Sequence, residues 1–197
     1  MRRTGKATKA RIEAVSMRLF VEKGVTETTI RDIAGGAGIA EGTIYRHYRS
    51  KEDLVWELFF KYYTGFARAL DELQQAAPAA RAKIDAMVRG FCRLFDADPT
   101  LFRFLLIVQH QQLRKLTDDA PTPIQVLRGV ITQAMADGEI PATDPDLATA
   151  MVLGVVLRPA VFASYGRIRR PMVACAGEMS SACWRVLNPP EIDELDK

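Results

Sequence analysis

Apolar side chains recur with the period of an α-helix along most of the chain. Near the N-terminus, Ile12, Val15, Leu19 and Phe20 follow an i, i+3, i+7, i+8 spacing, which places them on one side of a helix. No segment shows the sustained alternation of apolar and polar residues that is typical of strands. The pattern therefore predicts an all-α fold of about nine helices.

Glycines, prolines and capping residues divide this pattern into separate helices. Gly24 is placed to end the first helix, and Thr29 with Asp32 forms a variant of the capping box at the start of the second. The Gly-Gly-Ala-Gly run at 35–38 is predicted to end that short helix. The other seven helices are predicted at about 40–48, 50–73, 80–96, 101–116, 123–137, 144–168 and 171–187.

Charge is distributed unevenly between the two ends of the chain. The 197 residues are 48% apolar and 26% charged, which is ordinary for a globular protein. Residues 1–51 carry 11 Lys/Arg and 5 Asp/Glu, a net charge of +6, whereas the remaining residues carry a net charge of −3. A basic N-terminal part, which we call the head, followed by a slightly acidic remainder, which we call the body, indicates that the head binds a polyanion.

Cysteines, histidines and apolar runs argue against several other classes of protein. Three cysteines are too few for a disulfide framework, and two histidines without a Cys-x-x-Cys motif indicate no metal site and no cofactor. The most apolar stretch, 147–166, is interrupted by Arg158 and Pro159, so it is interpreted as a buried helix and not as a membrane span. Because the first residues also lack a signal-peptide core, we expect a cytoplasmic protein without membrane contact.

The second and third predicted helices carry the most specific pattern in the chain. Two short helices joined by a glycine-containing turn form a helix-turn-helix arrangement. The later helix begins with small and polar residues and ends with aromatic and basic ones, which suits insertion into a DNA major groove. Tyr45 and Tyr48 can donate to phosphate oxygens, or can be core aromatics that join the third helix to the fourth. For Tyr48, partial burial and DNA contact can both hold. Lys51 lies in the first turn of the next helix, where its ammonium and the helix N-terminus can share a phosphate.

This stretch resembles the DNA-binding domain of the TetR (tetracycline-repressor-like) transcriptional regulators. The matching residues are Phe20, Gly24, the runs 28–34, 37–39 and 42–45, His47, Tyr48, Lys51 and Leu54. The resemblance implies a DNA-binding domain at 1–52 and a ligand-binding and dimerisation domain at 53–197. It also implies a homodimer that binds a palindromic double-stranded DNA operator, with the last two long helices, at about 144–168 and 172–187, forming the dimer interface.

The resemblance also implies the residues that contact DNA. Thr29 and Arg31 would meet phosphate. The residues at or near bases would be Gly42, Thr43 and Tyr45, and those on the DNA backbone would be His47, Tyr48 and Lys51. Glu41 either accepts a hydrogen bond from a cytosine amino group or only favours the helix N-terminus. The full predicted set is Thr29, Arg31, Glu41, Gly42, Thr43, Tyr45, Arg46, His47, Tyr48 and Lys51. An N-terminal arm with Arg2, Arg3, Lys6, Lys9 and Arg11 either contacts phosphate or is merely solvated.

The larger body gives weaker signals for ligand binding and dimerisation. Polar residues at 109–112 follow an apolar helix and can orient a ligand in an apolar pocket, or can simply face solvent. Candidate pocket residues, which can equally be core, are Tyr63, Phe66, Phe102, Leu106, His110, Phe162 and Tyr165. Residues Met172, Cys175 or Ala176, Met179, Cys183 and Val186 recur at the spacing of a helix-packing seam, either a dimer interface or ordinary core.

These observations predict a ligand-responsive DNA-binding regulator, a repressor released by a small apolar or amphipathic inducer. A helical adaptor that binds protein through the same motif is the alternative, and affinity unchanged at high salt would favour it. An enzyme is the least favoured class, because the body carries no Ser/His/Asp order, glycine-rich phosphate loop or metal cluster.

Overall fold

The computed structural model describes residues 2–117 and 119–189, without the side chains of residues 2–4. Within these ranges the chain forms nine α-helices, one short 3₁₀ helix and no strand, so the predicted all-α class is confirmed. The helices are α1 (Arg2–Lys23), α2 (Ile30–Ala37), α3 (Glu41–Ile44), α4 (Lys51–Gln75), α5 (Ala80–Ala97), α6 (Pro99–Gln112), α7 (Pro123–Ala136), α8 (Pro145–Ser164) and α9 (Met172–Leu187), with the 3₁₀ helix at Leu113–Lys115.

The chain divides into two compact units that are not contiguous in sequence. The N-terminal unit comprises residues 1–63 and 100–118, and the C-terminal unit comprises residues 64–99 and 119–197. The division falls within α4, and most of α6 belongs to the N-terminal unit. The sequence analysis placed the domain boundary between residues 52 and 53. That position corresponds to the end of the helix-turn-helix motif and differs from the divisions between the compact units.

The core of the N-terminal unit combines helices that are distant in sequence. Phe20 of α1 stacks on Phe104 of α6 with ring centroids 6.0 Å apart, and both side chains are fully buried. Ile33 of α2 and Ile44 of α3 are also fully buried in this cluster. The helix-turn-helix is thus held on α1, α4 and α6 through its apolar side.

Helix α2 continues through the glycine pair that was expected to end it. It ends at Ala37 and is capped by Gly38, whose φ of +61° lies in the left-handed region that favours glycine. A Cβ built on Gly36 would lie only 2.8 Å from Val15 Cγ1 of α1, whereas a Cβ on Gly35 would meet no atom within 4 Å. Gly36 therefore stays helical because it allows α2 to pack closely on α1.

This difference gives matched substitutions with opposite expected effects. Gly35→Ala is expected to raise the free energy of unfolding by up to about 1 kcal/mol, because alanine favours a helix interior. Gly36→Ala is expected to lower it by about 1–3 kcal/mol, since the stiff, β-branched Val15 must move. Chemical denaturation of both variants measures the effect, and equal changes at the two positions would contradict the packing described.

The C-terminal unit is held together by packing of α9 against α5 and α8. All three cysteines are buried there, as are Met172, Ala176 and Met179, so most of the apolar seam of α9 faces the unit's own core. The seam is therefore wrong as a dimer surface, because α5 and α8 already cover it. Asp96 at the end of α5 accepts hydrogen bonds from the backbone N–H groups of Met172 at 2.9 Å and Val173 at 2.8 Å, which caps α9 from another helix.

Helix α8 exposes an apolar face, which corrects the prediction of a buried helix. Ala148, Val152, Val156 and Ala160 pack inside the C-terminal unit. The opposite face includes exposed Leu147, Met151, Phe162 and Tyr165, the last 75% exposed. By length and composition alone α8 could also cross a membrane, although soluble proteins contain such helices too.

Candidate nucleic-acid interface

The start of α2 is fixed by Thr29 and Asp32. The Thr29 hydroxyl accepts a hydrogen bond from the Asp32 backbone N–H at 3.1 Å, and Asp32 Oδ2 accepts one from the Thr29 backbone N–H at 2.9 Å. This is the predicted capping box, and the bonds from Thr29 hold the pKa of Asp32 below its usual value. Thr29 and the neighbouring Arg31 are both exposed, as contact with a phosphate requires.

Helix α3 is shorter than predicted and has one free face. It spans only Glu41–Ile44, and residues 45–47 continue as turns. Ala40 provides no side-chain cap, so the first N–H groups of α3 lack that stabilisation. Ile44 is fully buried, whereas Tyr45 is 54% exposed and a Cβ on Gly42 would meet nothing within 4 Å. With Glu41 and Arg46 these residues form an exposed row, which we call the α3 row (Glu41, Gly42, Tyr45, Arg46).

Tyr48 is buried and does not belong to this exposed surface. Its side chain is only 2% exposed, and its hydroxyl donates to Glu13 Oε1 of α1 at 3.3 Å. Burial, with the nearby carboxylate of Glu13, raises the pKa of Tyr48 well above its ordinary value, so the phenol remains protonated and can donate. The core packing of Tyr48 that the sequence allows is observed, and a contact of Tyr48 with DNA stays a prediction.

The Glu13–Tyr48 bond lies in a polar network that crosses the N-terminal unit. Glu13 is 6% exposed, and its Oε2 also accepts from Lys61 Nζ of α4 at 2.6 Å. Lys9 Nζ lies 5.0 Å from the centroid of the Tyr48 ring and donates to Glu57 Oε2 at 2.9 Å. The segment that follows α3 is thereby tied to both α1 and α4.

Lys51 is engaged with the protein and not presented to a phosphate. Its Nζ donates to the carbonyl oxygens of Val25 at 2.8 Å, Thr26 at 3.1 Å and Thr28 at 2.9 Å. The three donors of an ammonium group are thus all used. In this structure the carbonyls of the turn before α2 occupy the ammonium, and the phosphate contact of Lys51 stays a prediction.

The other predicted DNA contacts vary in accessibility. Thr43 and His47 are half-buried, with the His47 ring centroid 6.3 Å from that of Tyr48. In the arm, Lys6 and Arg11 are exposed, while Lys9 belongs to the network above. The side chains of Arg2 and Arg3 lie outside the described residues.

Sequence reasoning missed Glu13. It precedes no motif and flanks an apolar residue, so nothing distinguishes it from a surface glutamate on a helix. In the structure, Ser16 and Met17, about one turn later in α1, are buried as well. The burial of Glu13 depends on Tyr48 and Lys61, which lie 35 and 48 residues away.

The structure divides the predicted ligand residues between the two units. Tyr63, Phe102, Leu106 and His110 lie in the N-terminal unit, and Phe66, Phe162 and Tyr165 lie in the C-terminal unit. Tyr63 and Phe102 are buried, while Phe162 and Tyr165 face outward on α8 and His110 is exposed. These last three side chains lie at the surface of their own units, and their role in ligand binding stays a prediction.

One polar residue at the end of α6 is buried without a complete set of partners. Gln112 is 5% exposed, and its Oε1 has no hydrogen-bond partner within the described part of the chain. Such an orphaned acceptor is rare, because desolvation without a partner is costly. Among residues 109–112, the side chain with a buried oxygen that can accept a further hydrogen bond is therefore Gln112, whereas His110 is exposed.

Comparisons with known proteins agree with the helix-turn-helix geometry. The family described as bacterial regulatory proteins of the tetR family matches residues 12–58. The chain is 26% identical over 150 residues to the fatty acid metabolism regulator protein of Bacillus subtilis, covering 72% of the chain and 75% of that protein. It is 34% identical over 83 residues to the transcriptional repressor KstR2 of Rhodococcus jostii, covering 42% of the chain but only 41% of that repressor.

Solved structures share the fold over nearly the whole chain. The fatty acid degradation regulator FadR of Bacillus halodurans has a TM-score of 0.75 and 19% identity, covering 93% of this chain and 96% of that one. FadR of Bacillus subtilis, solved in complex with stearoyl-CoA, has a TM-score of 0.72 and 22% identity, covering 90% and 97%. At these identities the likeness establishes the arrangement of helices.

Proposed function

Since this chain belongs to the TetR family of transcriptional regulators, we propose that it represses transcription as a homodimer on a palindromic operator and leaves the DNA when an amphipathic effector binds. It would act in the cytoplasm, where bacterial chromosomal DNA lies. The observation that carries the proposal is the α3 row, which presents small and hydrogen-bonding groups outward while Ile44 anchors the helix from behind. A short helix with such a face suits the major groove.

Two substitutions in the α3 row test operator binding. Gly42→Ala is expected to leave the fold intact, because the new methyl meets no protein atom, but to weaken specific binding by keeping the helix away from the base edges. Tyr45→Ala is expected to weaken binding as well, since the exposed phenol is lost. The affinity of both variants is measured by fluorescence anisotropy with labelled DNA from upstream of the gene that encodes this chain, in the presence of unlabelled competitor DNA. Gly35→Ala is the matched control, and equal affinity in all three variants would contradict the proposal.

The apolar face of α8 is the surface that we propose for dimerisation. Leu147, Met151, Phe162 and Tyr165 lie on one side of the helix, and Val173 of α9 adds another exposed apolar group. A single chain rarely leaves so many large apolar groups on one surface, and such patches are typical of protein interfaces. Two DNA-reading heads joined in this way would reach both halves of a palindrome.

For the effector, we propose an acyl-coenzyme A thioester. The proposal is supported by the regulator of fatty acid metabolism that is similar over 150 residues and by the related fold solved with stearoyl-CoA. Within this chain, Gln112 supplies a buried acceptor without a partner. Amide and hydroxyl groups of the coenzyme A portion are donors that could satisfy it.

Gln112→Met tests this assignment through two opposite effects. Because methionine removes the orphaned acceptor at similar volume, the free variant is expected to unfold at a temperature equal to or above that of the wild type. Its affinity for stearoyl-CoA is expected to fall about tenfold, from the loss of one hydrogen bond. Thermal unfolding and calorimetric titration measure the two, with Gln111→Met on the exposed side as control. Unchanged affinity in Gln112→Met would contradict the role given to Gln112.

A further inference from the structure

We propose that Glu13 serves operator binding as a positioning residue, which fixes the direction of the α3 row through its hydrogen bond with Tyr48. The inference rests on the proposed operator binding and assigns a role to one buried carboxylate within it. Glu13 lies on α1, and its two oxygens bond to two other parts of the N-terminal unit. Its Oε1 accepts from the Tyr48 hydroxyl at 3.3 Å, and its Oε2 accepts from Lys61 Nζ of α4 at 2.6 Å.

Helix α3 is too short to hold its own direction. It spans four residues, and helices of this length are marginal without tertiary packing. Two buried side chains hold it from behind, Ile44 within the helix and Tyr48 one turn later. The backbone N–H of Tyr48 donates to the Ile44 carbonyl at 3.0 Å, so the two anchors are joined through the backbone. The direction of the α3 row therefore depends on how these two side chains are seated.

The two anchors differ in what they specify. Ile44 is held by apolar contacts, which are not directional and tolerate a small rotation of the helix. The Tyr48 hydroxyl is directed at one oxygen, since hydrogen bonds favour a near-linear geometry. Its separation of 3.3 Å from Glu13 is long for a hydroxyl donor, but the charge on the buried acceptor strengthens the bond. The bond with Glu13 is thus the directional contact that sets how the segment lies.

Stability alone does not account for a carboxylate at this place. Glu13 is only 6% exposed, and removing a carboxylate from water is costly even when it is paired. Lys61, whose side chain is 55% exposed, offsets part of that cost. Replacing a buried ion pair by apolar side chains of similar volume often leaves stability unchanged or higher. An apolar pair would lack only a fixed acceptor for the Tyr48 hydroxyl.

A double-mutant cycle on operator affinity tests this role. It compares wild type, Tyr48→Phe, the pair Glu13→Leu with Lys61→Met, and the combination of all three, as full-length protein on the DNA used for the α3 row variants. The pair removes one negative and one positive charge, so the slope of log K against log salt should not change. We expect Tyr48→Phe to lose about tenfold in specific affinity in the wild-type background and nothing further in the background of the pair.

The outcome of the cycle separates positioning from a direct contact. Equal losses from Tyr48→Phe in both backgrounds would mean that the phenol itself contacts DNA, and they would overturn the proposal. Wild-type affinity in the combined variant would overturn it as well. Asp85→Leu with Arg89→Met, which replaces an ion pair on α5, is the matched control and should leave the affinity unchanged.

Thermal unfolding separates positioning from general instability. The combined variant is expected to unfold at a temperature equal to or above that of the wild type, because all three polar groups are removed together and none is left without a partner. A lower unfolding temperature would overturn the proposal, since the network would then serve the stability of the head.

Amide hydrogen exchange keeps the test independent of DNA. In the combined variant we expect faster exchange at the backbone amides of residues 47 and 48, which both donate to the Ile44 carbonyl, and unchanged exchange in α5 and α9. Unchanged exchange at these two amides would overturn the positioning role, even if the wild type bound no DNA. Absence of specific binding by the wild type would instead refute operator binding itself.

Discussion

Replacing Phe104 with alanine is expected to lower the free energy of unfolding of the N-terminal unit by about 3–5 kcal/mol, the usual cost of removing a buried phenylalanine. Phe104 lies far beyond residues 12–58, which carry the family match, yet it is fully buried against Phe20 of α1. Because small domains are only marginally stable, a loss of this size would unfold much of the helix-turn-helix and abolish operator binding. Denaturant unfolding with hydrogen exchange at α1 and α2 measures it.

Ile107→Ala provides the control on the same helix. Ile107 is 49% exposed, so its truncation removes a side chain of similar character without opening a cavity. A change of less than about 0.5 kcal/mol is typical of such surface positions. If Phe104→Ala cost no more than Ile107→Ala, the N-terminal unit would not depend on α6, and residues 100–118 would belong elsewhere.

If the chain dimerises through α8 as proposed, replacing Met151 with arginine is expected to give a monomer and to weaken binding to a palindromic operator by about 10²–10⁴-fold. Met151 lies on the exposed apolar face of α8, where a second copy would bury the new charge without a partner. The loss in affinity follows because two linked heads bind their half-sites with a high effective concentration, whereas separate heads do not. Sedimentation equilibrium and operator titrations measure the two effects.

Ile124→Arg introduces the same charge at an exposed apolar residue of α7, and it should leave both the dimer and the affinity unchanged. Binding to DNA that carries a single half-site should be similar in wild type and Met151→Arg, since the head is not altered. If Met151→Arg remained dimeric, the interface would have to lie on another surface.

Features fixed by neighbouring residues were predictable from the sequence. The capping box at Thr29 and Asp32 needs only residues three positions apart. The start of α4 is equally local, since the Ser50 hydroxyl accepts from the Asp53 backbone N–H at 3.1 Å, and Asp53 in turn accepts from the Arg49 backbone N–H. The glycine at 38 ended α2, although the pair at 35 and 36 did not, because helix packing on α1 outweighed intrinsic propensity.

Hydrogen bonds that depend on distant partners could not be predicted where the sequence offered only residue types. Lys51 and Tyr48 both carry groups that bind phosphate, but their partners in the fold lie 23–35 residues earlier and use those groups. Likewise, apolar spacing identified helices α8 and α9 without showing which face each one buries. Sequence periodicity reports that a side is apolar, and only tertiary packing decides whether the same chain covers it.

The separation of exposed and buried positions around α3 bears on how such regulators diverge. Glu41, Gly42 and Tyr45 are exposed, while Ile44 and Tyr48 are buried and hold the segment in place. Substitutions at the outward positions are therefore nearly neutral for folding, and selection can act on them through DNA preference alone. After gene duplication, a copy of this chain could acquire a new set of target promoters through a few such changes, without first evolving a compensating gain in stability.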